Sequence, residues 1–434
     1  MTLYKFLARE SHPFEYAPPL PIPASLKPNR EMKKFLLSSL LVLFVTIVSA
    51  QNFVAPQMGK MAIRLFDNTA KRTEIVLPQV KGYTLYKADF HVHTIYSDGD
   101  VTPRERVMEA WYDGLDIVAI TDHLEKRTYE KFMLKALAPY SKDGSPFVYA
   151  HAGAGNKTNQ DAPMLSNMNA TVDEAVDWAE QKGYPIMVVR GSEIWREPST
   201  IGEYNALFLK DVNAICDKDL FECFRRVKEQ GGIIIHNHPG WRRPTMEKSE
   251  EQQRIYAEGW VDGIEVVNEA YLYPQMLRRC KEEKLFIAAN TDTHHPTAQR
   301  WPQVCGMFRT MTFILAKEKS EKAIKEALLD RRTIGYCANN LIGEQRWLQE
   351  FFDAAVECRI IGEDAKAKAD VYMLTNTCSV PFALRVGKAV QMLNPFQSLR
   401  LTVSKKRAKP LTFVVENMWI VDEQHPKLTL RMDK

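Results

Sequence analysis

The chain has 434 residues, 45% of them hydrophobic and 26% charged, a globular composition with length enough for two domains and a full core. Its formal net charge is +4, but residues 1–50 carry six Lys/Arg against three Glu, which leaves 52 basic and 51 acidic residues for the rest. A charge so balanced implies no broad cationic face for nucleic acid or for an anionic membrane.

In chain order, residues 1–31, with "APPLPIPASLKP", read as neither a targeting signal nor a fold, and Met32 is expected to be the natural start. The stretch "MKKFLLSSLLVLFVTIVSAQ" then sets two lysines before an apolar run from Phe35 to Val48 and small residues at Ser49 and Ala50. This is the layout of a secretory signal peptide over residues 32–50. The run is shorter than the roughly 20 apolar residues of a membrane span. An exported product, periplasmic or extracellular and without a transmembrane anchor in its mature form, is expected. Residues 51–82 read as a polar lead-in.

Beyond it, short apolar runs recur: "YKADFHVHT", "GLDIVAITDH", "YPIMVVRGSEI", "GGIIIHNHP", "GIEVVN" and "LFIAANTDTHH". Continuous runs of this length are those of buried parallel strands. Helical stretches alternate with them ("TPRERVMEAWYDG", "TVDEAVDWAEQKG", "LFECFRRVKEQG", "YPQMLRRCKEEK"), several opening with Thr or Pro and closing with Gly. The alternation predicts a parallel α/β barrel or a doubly wound sheet. Residues 317–350 read as two helices, "KEKSEKAIKEALLDRR" and "LIGEQRWLQEFFDAAV". From about Ala369 the pattern changes to alternating apolar and polar residues between turns, as in a small antiparallel β-sandwich.

Chemistry is concentrated in the histidines. In "DFHVHTIYSDGD", His91 and His93 are one residue apart, so on an extended strand their rings point the same way and can share one metal ion, with the acidic turn of Asp98 close behind. His123, Glu193, His238, Asp292 and His294 stand at the carboxyl ends of the later runs. Both α/β architectures gather those ends at one face, so residues two hundred positions apart can meet in a single cleft. Seven cysteines form no CxxC pair, which argues against a thiolate zinc site; most are expected to be buried small hydrophobes, with one disulfide allowed in an oxidising compartment. The segment "GAGNKT" lacks the spacing of a phosphate loop, and His151 beside it is expected to stay outside any ligand set.

Taken together, "HVHTIYSDG", "AITDH", "GSEI", "NHPGW" and "NTDTH", in that order over residues 83–316, resemble the successive motifs of the PHP (polymerase and histidinol phosphatase) superfamily of metal-dependent phosphoesterases. With the signal segment and the β-rich tail, the chain resembles exported bacterial members. The resemblance implies a distorted (β/α)7 barrel within residues 83–350, flanking helices included, a β-rich domain over 351–434, and two or three divalent ions (Zn, Mn or Fe) at the barrel mouth. Carried onto this sequence, it implies that His91, His93, Glu193 and Asp292 hold one ion and that Asp98, His123 and His294 hold a second, with Glu193 bridging towards a third at His238. Family members place a histidine about ten residues after the glutamate; here Glu203 in "STIGEYNALF" takes that place. His236, an extra histidine in "HNHPG", shares the strand face of His238 by simple alternation and is a substitute ligand on that reading.

Clustered divalent ions make hydroxide available near neutral pH and neutralise phosphoryl oxygens. The implied function is hydrolysis of a small-molecule phosphate ester by a metal-bridging hydroxide, as a phosphodiesterase or broad phosphoesterase and without a nucleic-acid partner. Two alternatives stay open: a monoesterase for nucleotides or sugar phosphates, and a catalytically inactive metal-dependent binding protein of the cell envelope. Asp122 and His295 are candidate proton donors by proximity in sequence, Asp122 being also a candidate orienter of a ligand. Arg127 and Arg190 are candidate phosphate contacts.

Overall fold

The computed structural model describes residues 71–125, 167–196, 198–301, 307–406 and 410–431. The N-terminal extension, the expected signal segment, Arg127, His151 and Cys305 lie outside the described residues. The apolar runs become strands because β-branched residues fit a pleated, buried surface: β1 (Thr84–Asp89), β2 (Ile117–Ile120), β3 (Met187–Trp195), β4 (Glu203–Leu207), β5 (Ile233–Asn237) and β6 (Gly263–Asn268) are laddered in that order. A two-residue β7 (Tyr271–Leu272) folds back on β6, and β8 (Phe286–Asn290) pairs parallel with β6. The ring then returns to β1 through one parallel bridge beyond the strand ends, Val92 opposite Thr293. Every junction is parallel except the two flanking β4, which runs antiparallel to both β3 and β5. This is the distorted seven-stranded α/β barrel that the resemblance implies.

Local chemistry sets the helices between strands. Thr102 caps helix Pro103–Tyr112 and forms a reciprocal capping box with Glu105, with Pro103 at the first helical position. Helix Met168–Lys182 starts on Asn167 and stops on Gly183, whose φ of 64° favours glycine. Ser249 and Gln252 box the start of Glu250–Ala257. Gly263 is required by packing, since a Cβ there would stand 2.4 Å from the Phe286 ring.

After β8 the chain departs from the expected pair of helices. Helices Glu321–Leu329 and Gln345–Ala355 do form, but β9 (Met311–Ala316) precedes them and the hairpin of β10 (Thr333–Cys337) and β11 (Asn340–Gly343) separates them. Leu341 and Ile342 therefore belong to a strand rather than to the second helix; Ala338 and Asn339 turn the hairpin at positive φ. β9 pairs antiparallel with β1 and carries the hairpin outward from the ring. The tail forms two antiparallel sheets, as expected. One joins β12 (Val356–Asp364), β13 (Ala369–Asn376) and β16 (Ser398–Ser404). The other joins β14 (Phe382–Val386), β15 (Ala389–Leu393), β17 (Thr412–Val415) and β19 (Lys427–Thr429), while β18 (Met418–Trp419) crosses over to pair with β11. One apolar core runs from Ile75 and Val80 through Phe313 and Phe351 to Phe382, Phe413 and Leu428, so the tail packs on the barrel's flank. Among the described cysteines none is disulfide-bonded, and all but Cys216 are buried.

Candidate metal centre

His91 and His93 lie just past the end of β1, in an extended segment pinned at Val92, whose N–H donates to Thr121 Oγ1 at 3.0 Å and which bridges Thr293. The alternation holds there: the two Nε2 atoms stand 3.0 Å apart. Asp292 Oδ1 is 3.1 Å from His91 Nε2 and 3.2 Å from His93 Nε2, while Glu193 Oε2 is 3.3 and 3.2 Å from the same atoms. Four ligand atoms placed about 2.0–2.1 Å from a shared centre stand about 3.3–3.4 Å apart in a tetrahedron. The His91–His93–Asp292 edges, 3.0 to 3.2 Å, close one face at that spacing, and Glu193 Oε2 approaches both imidazoles from 3.2 to 3.3 Å. Glu265 Oε1, 2.8 Å from His91 Nδ1, accepts from a protonated Nδ1, so the neutral ring that a cation requires would turn its Nε2 lone pair to the point the carboxylates face. The donor set therefore fits a divalent cation.

Three further groups of ligand atoms adjoin this one. His93, Asp98, His123 and His294 converge, with His294 Nε2 at 3.3 Å from Asp98 Oδ1; His91, Glu193 and His238 form another group, and His123, Glu193 and Glu203 a fourth. The structure thus brings all nine sequence-derived ligand candidates together. Glu203 reaches the cluster because β4 is reversed: its amino end, not its carboxyl end, lies at the mouth, opposite Trp195 on one side and Asn237 on the other. Its Oε2 is 3.8 Å from His238 Nε2.

His236 is not part of the cluster. β5 ends at Asn237, and His238 has φ of 20°, so the alternation that would align the two histidines is broken. His236 points instead to Tyr256, whose hydroxyl is 2.7 Å from its Nδ1; burial holds its pKa well below the ordinary range. Asn237 takes the inward place and donates to Glu193 Oε1 at 2.7 Å.

Neither candidate proton donor reaches the cleft. Asp122 is buried with its carboxylate committed to the β1 loop: Oδ1 accepts from Thr94 N at 2.7 Å and Ser97 Oγ at 2.6 Å, and Oδ2 from Thr94 Oγ1 at 2.7 Å. It shapes the loop that carries Asp98. His295 is 68% exposed in its side chain and pairs with Asp100 at the surface. Arg190 is engaged by Asp173 at 2.6 Å rather than offered to a phosphate. Conversely, sequence reasoning passed over Glu265, fully buried on β6, which also accepts from His238 N at 2.9 Å, Asn268 Nδ2 at 3.0 Å and Asn290 Nδ2 at 2.8 Å. The available signal was a lone carboxylate inside the apolar run "GIEVVN".

Electrostatics follow from this crowding. Burial opposes charge on the rings, but the carboxylates outweigh it: Asp292, Glu193 and Glu265 hold His91 well above the imidazole range, His93 is pushed up to about 10 and His238 to about 9. Burial likewise opposes ionisation of Glu193 and Asp292, yet the histidines hold both below the ordinary carboxylate range. Glu203 differs, since burial and the nearby Glu193 charge push its carboxyl up. Trp195, Trp241 and Arg242 complete the walls of a cleft of about 160 Å³ over the cluster. A larger hollow of about 660 Å³, beside helix Pro274–Glu283, shares no residue with it, and its Lys248 and Arg278 are paired with Glu283 and Asp422.

The sequence matches the PHP domain family over residues 89–215. In structure, the chain is similar to a two-domain protein from Bacteroides vulgatus described as containing a predicted PHP-like metal-dependent phosphoesterase, with 30% identity and a TM-score of 0.71 over 84% of this chain and 99% of that one. It is more distantly similar to PsfC from Pseudomonas syringae (14% identity, TM-score 0.36, 58% of this chain and 92% of that one). The lesion-specific endonuclease Q of Pyrococcus furiosus is as remote (12% identity, TM-score 0.38, 60% of this chain and 59% of that one). The last two are too remote to bear on substrate. No curated protein matches the sequence. Among the described residues no helix is long and apolar enough to cross a membrane.

Proposed function

The chain belongs to the PHP-like metal-dependent phosphoesterases, and on that premise we propose that it hydrolyses small-molecule phosphate esters, as a phosphodiesterase or broad phosphoesterase, with two or three divalent ions (Zn, Mn or Fe). The observation that carries the reading is the convergence of nine ligand side chains into four overlapping groups at the barrel mouth. His91, His93, Glu193 and Asp292 would hold one ion; Asp98, His123 and His294, with His93 beside them, would hold a second; His238 and Glu203 stand where a third would bind. When bound, such ions supply Lewis acidity, lowering the pKa of water and offsetting charge on phosphoryl oxygens.

The chain's own residues do the rest. Glu265 fixes the His91 tautomer, and Asn237 orients Glu193. Arg242, at the mouth, is suited to pairing with a non-bridging phosphoryl oxygen. Trp195 and Trp241 wall the cleft and restrict water around the leaving group. The signal-like segment 32–50 supports export to the periplasm or beyond, where nucleotides, phospholipid head groups and organophosphates are the available esters, and the balanced charge disfavours a nucleic-acid strand as substrate. Cell fractionation tests export: a cytoplasmic product retaining residues 32–50 would refute it.

Turnover of bis(p-nitrophenyl) phosphate against p-nitrophenyl phosphate by the metal-loaded chain tests the chemistry. Faster diester cleavage, lost in His93→Ala, supports the proposal. Cleavage of the monoester alone favours the nucleotide or sugar-phosphate reading. Bound metal without turnover of either ester would sink the enzyme and leave an envelope binding protein.

A further inference from the structure

The ligands sit on two sides of the seam between β1 and β8, which is crossed by the backbone bonds from His93 N to Thr293 O and from Asp100 N to His294 O, and by Phe90 N to Asn290 Oδ1 and Thr291 Oγ1 to Asp89 Oδ2. His91, His93 and Asp98 follow β1, whereas Asp292 and His294 follow β8, and between these two strands the ring has a single bridge instead of a ladder. Yet ligand spacings across that seam must be held to a few tenths of an ångström: His93 Nε2 to Asp292 Oδ1 is 3.2 Å, and His294 Nε2 to Asp98 Oδ1 is 3.3 Å.

One side chain spans the seam with its whole donor fork. Arg106, 1% exposed on helix Pro103–Tyr112, donates from Nε to His93 O at 2.7 Å, from Nη2 to Thr293 O at 3.0 Å, and from Nη1 to His295 O at 2.9 Å. Those three carbonyls belong to ligands or to their chain neighbours on both sides. Glu109, one turn along the helix, accepts from Arg106 Nη1 at 2.8 Å with Oε2 and from Thr297 N at 2.9 Å with Oε1, which aims the guanidinium and ties the β8 loop to the same helix. A lysine has neither the planar fork nor the reach to serve three carbonyls at once.

We propose that Arg106 is a positioning residue of the metal centre: by clamping the backbone at His93 to the Thr293–His295 turn, it sets the span between the two sets of ligands and hence metal affinity and geometry. This rests on the reading of the cluster as a metal centre. Partners that orient metal ligands commonly carry about 10–100-fold in affinity, and a loss in that range is expected here.

The test uses the full chain with Co²⁺ as probe, reading the dissociation constant by competition with a chelator and the ligand-field spectrum of the bound ion. Arg106→Lys should weaken binding at least tenfold and shift the visible bands, while Arg104→Gln, two residues away on an exposed arginine, should change neither. Wild-type affinity and spectrum in a folded Arg106→Lys would overturn the proposal. Should Arg106→Lys fail to fold, Glu109→Gln keeps the guanidinium but frees its aim, and an unaltered spectrum there would overturn it equally. A wild-type chain that binds no Co²⁺, Mn²⁺ or Zn²⁺ would instead sink the metal centre itself, so the two failures are distinguishable.

Discussion

Glu265→Gln is the most informative single change, because it alters one charge and almost no volume at a fully buried position. Both carboxylate oxygens accept twice: Oε1 from His91 Nδ1 and Asn290, Oε2 from the His238 amide and Asn268. A glutamine keeps one acceptor oxygen and sets an NH2 against two donors at the other position. Each orphaned buried donor costs about 1–3 kcal/mol, so the fold should lose about 2–6 kcal/mol. If the amide turns its NH2 to His91, the ring must move its proton to Nε2, the atom that faces Glu193 and Asp292, and metal affinity should fall about 10–100-fold. Urea unfolding of the metal-free chain reads the first effect and calorimetric Mn²⁺ titration the second. An unchanged urea midpoint together with unchanged affinity would refute the role assigned to Glu265.

Protonation gives a second expectation: His93 and His238 titrate at about 10 and about 9 when folded, above about 6.5 when unfolded. Their stabilisation of the metal-free chain is full below about pH 6.5 and is lost as pH rises through those folded values, so the urea midpoint should fall across that window; a flat profile contradicts it. Metal uptake near pH 8 should also release protons, visible as a binding heat that depends on the buffer. Glu203→Ala should lower the number of ions retained per chain, by elemental analysis, and an unaltered count removes Glu203 from the ligands. Gly263→Ala forces a methyl to 2.4–2.6 Å from the Phe286 ring and should destabilise the chain by about 1–3 kcal/mol in the same unfolding assay.

What the sequence disclosed was governed by how local each signal is. Histidines at strand ends are visible because a strand end is marked by its own apolar run, and the ring geometry then gathers them. Glu265 was opaque because its partners His91, Asn290 and the His238 amide come from separate segments, and a carboxylate in "GIEVVN" looks like a strand defect until they are placed. His236 misled because alternation is valid only while the strand lasts, and β5 ends one residue before His238. Adjacent residues also diverge at a turn: His294 faces Asp98 while His295 faces solvent. Most of β11 was absorbed into the second helix because "LIGEQRWLQEFF" keeps an apolar periodicity across Gly343, and a four-residue strand is too short to interrupt it, while β10 fell between the two helices as read.

The reversed strand β4 has a consequence for how the centre could change over time. Glu203 is laddered on both sides, to Trp195 and to Asn237, so its backbone is fixed independently of what it binds. A carboxylate there favours harder cations, and an imidazole would favour Zn²⁺ or Fe²⁺. If Glu203 holds an ion as proposed, its place is a ligand position whose scaffold need not be rebuilt, and a substitution there would retune metal preference while the remaining ligands stay as they are.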